Sequence, residues 1–189
     1  MLSRAQRRAI SRFAAQETAG NDEHHSMPHL RQTARLALRL AEAEGADPDV
    51  CWSAAMLHDI RKNAAGDHGA LGAEAAAAFL RSIGLPTRFI DKVRDAIHFH
   101  NKDFCRCPKE RAVLYDSDKL PLMSPKGFKE RLIPYWEMRL GKKAGLEMAI
   151  KEYHFFFGRF HTKTGRKRVR MRRGRMELLI ERLKSSSDL

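Results

Sequence analysis

Apolar residues recur every three to four positions along almost the whole chain, the period of helices that bury one face. Residues 3–16 carry this pattern in a basic, modestly amphipathic form, and Gly20-Asn21-Asp22 interrupts it. Ser26 and Pro28 signal a helix start and Gly45 a stop, around the stripe Thr33, Leu36, Ala37, Leu40 and Ala41. His29 stands one turn before Thr33 on that stripe, so the spacing turns it inward. Asp47 as N-cap and Pro48 at the first helical position launch the next helix, where Cys51, Ala54, Ala55 and His58 share a face. An alanine-rich helix is predicted over 69–83, with His68 at or just before its start and Gly84 and Pro86 at its end. Over 87–100, Phe89, Ile90, Val93, Ile97 and His100 form one broad face, while His98 falls with Asp91 and Arg94 on the other. Residues 109–120 read as a helix carrying Asp116 and Asp118, and periodicity does not choose between these two acids.

Pro121, Pro125 and Gly127 mark a boundary. Beyond it come an aromatic segment with Phe128, Tyr135 and Trp136, a helix of about 143–157, the basic tract His161 to Arg175, and a final short helix. That last helix sets Met176, Leu179, Ile180 and Leu183 on one face. Tyr135 and Trp136 read as core residues, and His24 and His25 as solvated members of a polar loop. No segment carries a convincing strand pattern, so the fold class is all-α, a helical bundle with a basic C-terminal helical extension. Three parts are expected: an N-terminal helix over 1–23, a helical domain over 24–125 and the extension over 126–189.

Composition narrows the function. With 189 residues, 43% hydrophobic and 31% charged, the chain can build a real core and is not disordered. No apolar stretch approaches the ~18 residues of a membrane span. The basic N-terminus has no apolar signal region behind it, which points to a cytoplasmic protein. Three cysteines form no paired framework, and Cys105-Arg106-Cys107 lacks the two-residue gap of a zinc knuckle or redox pair, so reduced thiols are expected. A net charge of +13 calls for anionic partners such as nucleotides, phosphate esters or nucleic acid.

The chemistry centres on His58-Asp59, which closes the apolar run from Val50 to Leu57 and is followed by Lys62. An imidazole beside a carboxylate at the end of a buried helix is costly to desolvate unless something satisfies both. A divalent cation does so, since neutral imidazole and carboxylate are its usual nitrogen and oxygen ligands. Lys62 is as good a helix C-terminal cation as a substrate contact.

Three blocks resemble the HD superfamily of metal-dependent phosphohydrolases. His29 is followed by Gln32-Thr33, where the family often has Arg-Val. The run Ala54 to Lys62 resembles the family's A-A-L-L-H-D-I-G-K, with Arg61 in place of the glycine, and Leu114 to Leu120 resembles its L-x-D-A-D-K-L. The resemblance spans about residues 24–125 and explains nothing after Gly127. It implies His29, His58, Asp59 and Asp118 as metal ligands, with Asp116 as understudy to Asp118. Some branches of the family bind two metals through extra histidines, which His68 and His100 match, and a bridging hydroxide would then attack phosphorus. The metal is divalent, with manganese, iron, zinc, nickel and magnesium all compatible.

The expected function is metal-dependent hydrolysis of a nucleotide or other small phosphate ester. Asp59 would ligate the metal and orient water, and Arg61 and Lys62 would hold the phosphate. Two other readings stand beside it. One is a nucleic-acid-binding protein that uses residues 161–175 on an HD-like scaffold; the other is a catalytically silent, metal-stabilised module. The oligomeric state is left open.

Overall fold

The computed structural model describes residues 1–102 and 107–187, and Cys105 and Arg106 of the Cys-Arg-Cys run lie outside them. All regular structure among the described residues is helical. Contacts divide the chain into two compact units, Met1–Asp118 and Lys119–Leu189.

The first unit is built from α1 (Arg4–Glu17), α2 (Met27–Glu44), α3 (Pro48–Leu57), α4 (His68–Ser82), α5 (Thr87–Phe99) and α6 (Lys109–Lys119). Local signals set these ends. Ser3 and Gln6 close a reciprocal capping box on α1. The Asp47 carboxylate accepts from the amides of Asp49 and Val50, with Pro48 behind it. α2 ends where Gly45 adopts φ 64°, a left-handed conformation that favours glycine. Asp67 caps α4, so that helix begins on His68 itself.

The pairs α2–α3, α3–α5 and α4–α5 pack closely, and α1 lies on α3. Leu30, Leu40, Leu57, Ile60, Leu80, Ile97 and Leu114 are sealed in this core, each contributing roughly 1.5–3 kcal/mol of hydrophobic burial. Polar clamps fix the outer helices. The Arg7 guanidinium donates to Asp49 at 2.6 Å and stacks over Trp52. Lys92 pairs with Glu110 at 3.0 Å, and Arg111 pairs with Asp95 while stacking 3.9 Å over Phe99. These last contacts tie α6 to α5 and hold the end of α5 in place. Cys51 is buried in the same core, and burial pushes its thiol far above the ordinary range, leaving it inert.

The second unit holds α7 (Pro125–Gly127), a π-helical turn (Phe128–Leu132), α8 (Ile133–Leu140), α9 (Lys142–Phe157) and α10 (Lys163–Ser187). The π-turn directly precedes Pro134, which has no N–H for an ordinary helical bond, and the Ile133 amide reaches back to the Phe128 carbonyl. α8 and α9 approach so closely that a Cβ on Gly145 would lie 2.5 Å from the Glu137 Cα. The basic tract corrects an expectation: it is no separate segment before a short last helix, because α10 runs through it unbroken for 25 residues. Lysine and arginine are good helix formers, and Gly165 and Gly174 are tolerated inside the helix at modest cost. Tyr135 and Trp136 are half-buried, with the Trp136 indole N–H donating to Glu152.

Candidate metal centre

Six helix-borne side chains meet inside the first unit. α2 supplies His29 from its first turn, the end of α3 supplies His58 and Asp59, α4 opens on His68, α5 closes on His100, and α6 contributes Asp118. His58 is fully buried, His29, Asp59, His100 and Asp118 nearly so, and His68 is half-exposed.

Two rings are aimed by the backbone. His58 Nδ1 lies 2.9 Å from the Ala55 carbonyl and His100 Nδ1 lies 2.6 Å from the Ile97 carbonyl. A carbonyl only accepts, so Nδ1 carries the proton and donates, and Nε2 is turned toward the cluster as a ligand atom. Around that point, His29 Nε2 is 3.2 Å from His58 Nε2, 3.5 Å from Asp59 Oδ2 and 3.2 Å from Asp118 Oδ1. His58 Nε2 is 3.1 Å from Asp59 Oδ2 and 3.7 Å from Asp118 Oδ1. Ligands about 2.1 Å from a shared cation stand roughly 3.0–3.4 Å apart in octahedral or tetrahedral geometry, so this donor set fits a divalent ion. The other Asp59 oxygen, Oδ1, is 3.7 Å from His100 Nε2, and the ligand atoms of Asp59, His68 and His100 lie within 4.8 Å of one another. Asp59 therefore offers one oxygen to each of two neighbouring groups.

Electrostatics follow from the same packing. Burial opposes charge on His58, yet Asp59 beside it and hydrogen bonds to Asp118 and Asp59 raise its pKa to about 10. Burial opposes charge on Asp59 as well, but His58 and the hydrogen bonds from His100, His29 and His58 hold its carboxyl well below the usual range. His100 is lowered by burial, and His68 is lowered to about 4 by burial, Lys62 and His100. Two carboxylates among four imidazoles thus favour positive charge in a buried site, on His58 or on a bound cation.

The structure brings Asp118 to this cluster. Asp116 is fully buried on a different face of α6, where its charge acts on Cys107. Lys62 is half-buried and near enough to act on both His25 and His68. Arg61 turns to Glu17 of α1 in an ion pair and donates to its neighbour's carbonyl.

Sequence reasoning missed His25. The loop before α2 is not the solvated stretch expected, because Asp22 caps a 3₁₀ turn over Glu23–His25 that buries His24 and half-buries His25. Asn21 fastens this turn to the site, its amide donating to the carbonyls of His25 and Asp59 at 3.1 Å each. The His25 ring sits edge-on to His29 with centroids 6.2 Å apart, and its Nδ1–H donates to Asp22 at 2.7 Å. Burial, offset in part by Asp59 and reinforced by Lys62, lowers its pKa to about 4. The signal was present as the four-residue spacing of His25 and His29 behind a capping aspartate.

The HD domain family model matches residues 27–123. The chain belongs to the HD domain family. Its fold is that of the HD superfamily hydrolases, and the chain is similar to three solved structures. A predicted HD superfamily hydrolase from an uncultured Thermotogales bacterium is 23% identical, with a TM-score of 0.69 over 95% of this chain and 91% of that one. A Lactobacillus plantarum protein is 20% identical, with a TM-score of 0.77 over 100% and 99%. Bacillus subtilis YpgQ, solved in complex with ADP, is 20% identical, with a TM-score of 0.73 over 94% and 97%. These likenesses run past Gly127, so the residues after it share the fold of these solved structures, beyond the stretch that the motifs cover. No curated protein matches the chain. Among the described residues, no helix is long and apolar enough to cross a membrane.

Proposed function

We propose that this HD protein is a divalent-cation-dependent phosphohydrolase acting on a nucleotide or another small phosphate ester. The observation that carries the reading is the Asp59 carboxylate, with one oxygen toward His29 and His58 and the other toward His100. His29, His58, Asp59 and Asp118 would hold one cation, and Asp59, His68 and His100 a second. When bound, such ions lower the pKa of water and polarise a phosphoryl oxygen.

The remaining work falls to the protein. The Ala55 and Ile97 carbonyls lock two imidazoles so that no reorientation accompanies the reaction. Lys62 presents a cation to the phosphate at the half-exposed side, where His25 and His68 also meet solvent. His25, neutral near pH 7, donates from Nδ1 to Asp22 and presents Nε2 as a proton acceptor. Arg61, engaged by Glu17, braces α1 against the loop after α3 and leaves the phosphate to Lys62. The ADP complex of YpgQ supports a nucleotide as the substrate class.

The deciding assay is phosphate release from ADP, other nucleotides and simple phosphate esters, with each candidate metal and with a chelator. Release that requires metal and stops on chelation is expected. A protein that binds metal yet hydrolyses none of these substrates would sink the proposal.

A further inference from the structure

The C-terminal helix carries a dense run of one sign of charge. Between Lys163 and Met176 there are eight lysines and arginines and no acid. Surface helices ordinarily interleave opposite charges at four-residue spacing, whereas Lys163 and Lys167, and Arg166 and Arg170, set like charges there. The first intrahelical acid to answer is Glu177, which pairs with Arg173 at 2.6 Å. Lys163, Arg166, Lys167, Arg170 and Arg175 are exposed, along about 18 Å of helix. That length accommodates several consecutive phosphates.

The structure also says what kind of polyanion fits. The apolar seam of α10, with Val169, Met176 and Ile180 at most 5% exposed, is buried, which leaves two exposed apolar side chains two turns apart, Met171 and Leu178, rather than a continuous apolar face. A membrane would need such a face to insert, whereas a phosphodiester backbone needs only the cations. Just ahead of the helix, the ring of Phe155 is half-exposed beneath the Arg159 guanidinium at 3.8 Å. Arg139 stacks over Tyr135 in the same way at 3.6 Å. Stacked cations and aromatics of this kind receive unpaired bases. We propose that α10, with the Phe155–Arg159 stretch before it, is a binding surface for single-stranded nucleic acid, an activity separate from the phosphohydrolase reading.

The test uses the full chain and labelled single-stranded RNA, single-stranded DNA and duplex DNA of mixed sequence, titrated by anisotropy over a salt series. The variant K167Q/R170Q/R175Q is compared with R31Q/R35Q/R39Q, which removes the same charge from an exposed arginine stripe on α2. Three lost phosphate contacts should lower the log-log salt slope by about 2 and weaken single-strand binding at least about tenfold. The α2 variant should change affinity less than about twofold, and Phe155→Ala should weaken binding to single strands more than to duplex. Which sugar binds more tightly identifies the strand as RNA or DNA. Circular dichroism and metal-dependent phosphate release report folding; should the triple variant misfold, Arg170→Gln alone should shift the slope by about 0.7. Equal weakening by both triple variants, no binding to any strand at low salt, or binding only to phosphatidylserine vesicles would overturn the proposal.

Discussion

At the scale of single residues, Asp59 bears the most weight, because both candidate cation groups use its carboxylate. Asp59→Asn should cut metal-dependent phosphate release by about a hundredfold or more, since even partners behind metal ligands are worth ten- to a hundredfold. Metal content, measured alongside activity, should drop for both groups while far-ultraviolet dichroism stays unchanged. His68→Ala should lower bound metal from two per chain to one; an unaltered stoichiometry would remove His68 from the site. The coupled charges also predict a pH response in metal-free protein. His58 has a raised pKa, so its stabilising contribution is complete below 6.5 and fades as pH rises through about 10. Asp59 has a depressed pKa, so its contribution is complete above 3.8 and fades only as pH falls through its lowered value. Chelator-treated protein should therefore melt progressively earlier from pH 6.5 to 10, and a flat profile over that range would contradict the coupling. Much of this was legible in the sequence. The choice of His100 over His98 follows from helical period alone, because Ile97 and Val93 define a face that His100 extends. His25 was hidden because its burial comes from a loop folding back, and loops carry no period.

At the scale of elements, ends were easier to read than continuity. Asp47-Pro48 and Gly45 announce their caps with side-chain chemistry that acts within a few residues. α10 gave no such cue: its charge run read as a basic tract ahead of a separate short helix, while its apolar seam, one residue per turn or fewer in the basic half, was too sparse to register. The α8–α9 pair shows a further limit, since the close approach at Gly145 depends on two helices meeting. Gly145→Ala would drive a Cβ into backbone at Glu137, with no flexible side chain to yield. A loss of about 1–3 kcal/mol is expected from this overpacking. Urea unfolding of a Trp52→Phe background, which leaves Trp136 in α8 as the sole tryptophan, would measure it.

At the scale of the whole molecule, the fold class followed from the absence of two-residue alternation, and the site's helices from motif order. The extent of the shared fold did not, because the motifs end near Leu120 while the structural likeness continues through α10. The six ligand candidates come from five helices or their ends, so a bound cation should be felt by the first unit as a unit. Metal at a hundred times its dissociation constant should add about 2.7 kcal/mol to stability, raising the calorimetric transition, and a chelator should reverse it. The shared Asp59 carboxylate carries one more consequence. A first cation withdraws electron density from that carboxylate and neutralises the neighbourhood, so the second should load in a separate, weaker step, a negative coupling between the two positions. A phosphate ester restores negative charge at the same place. By thermodynamic reciprocity, substrate and second cation should then tighten each other's binding, and occupancy of the second position would follow substrate supply.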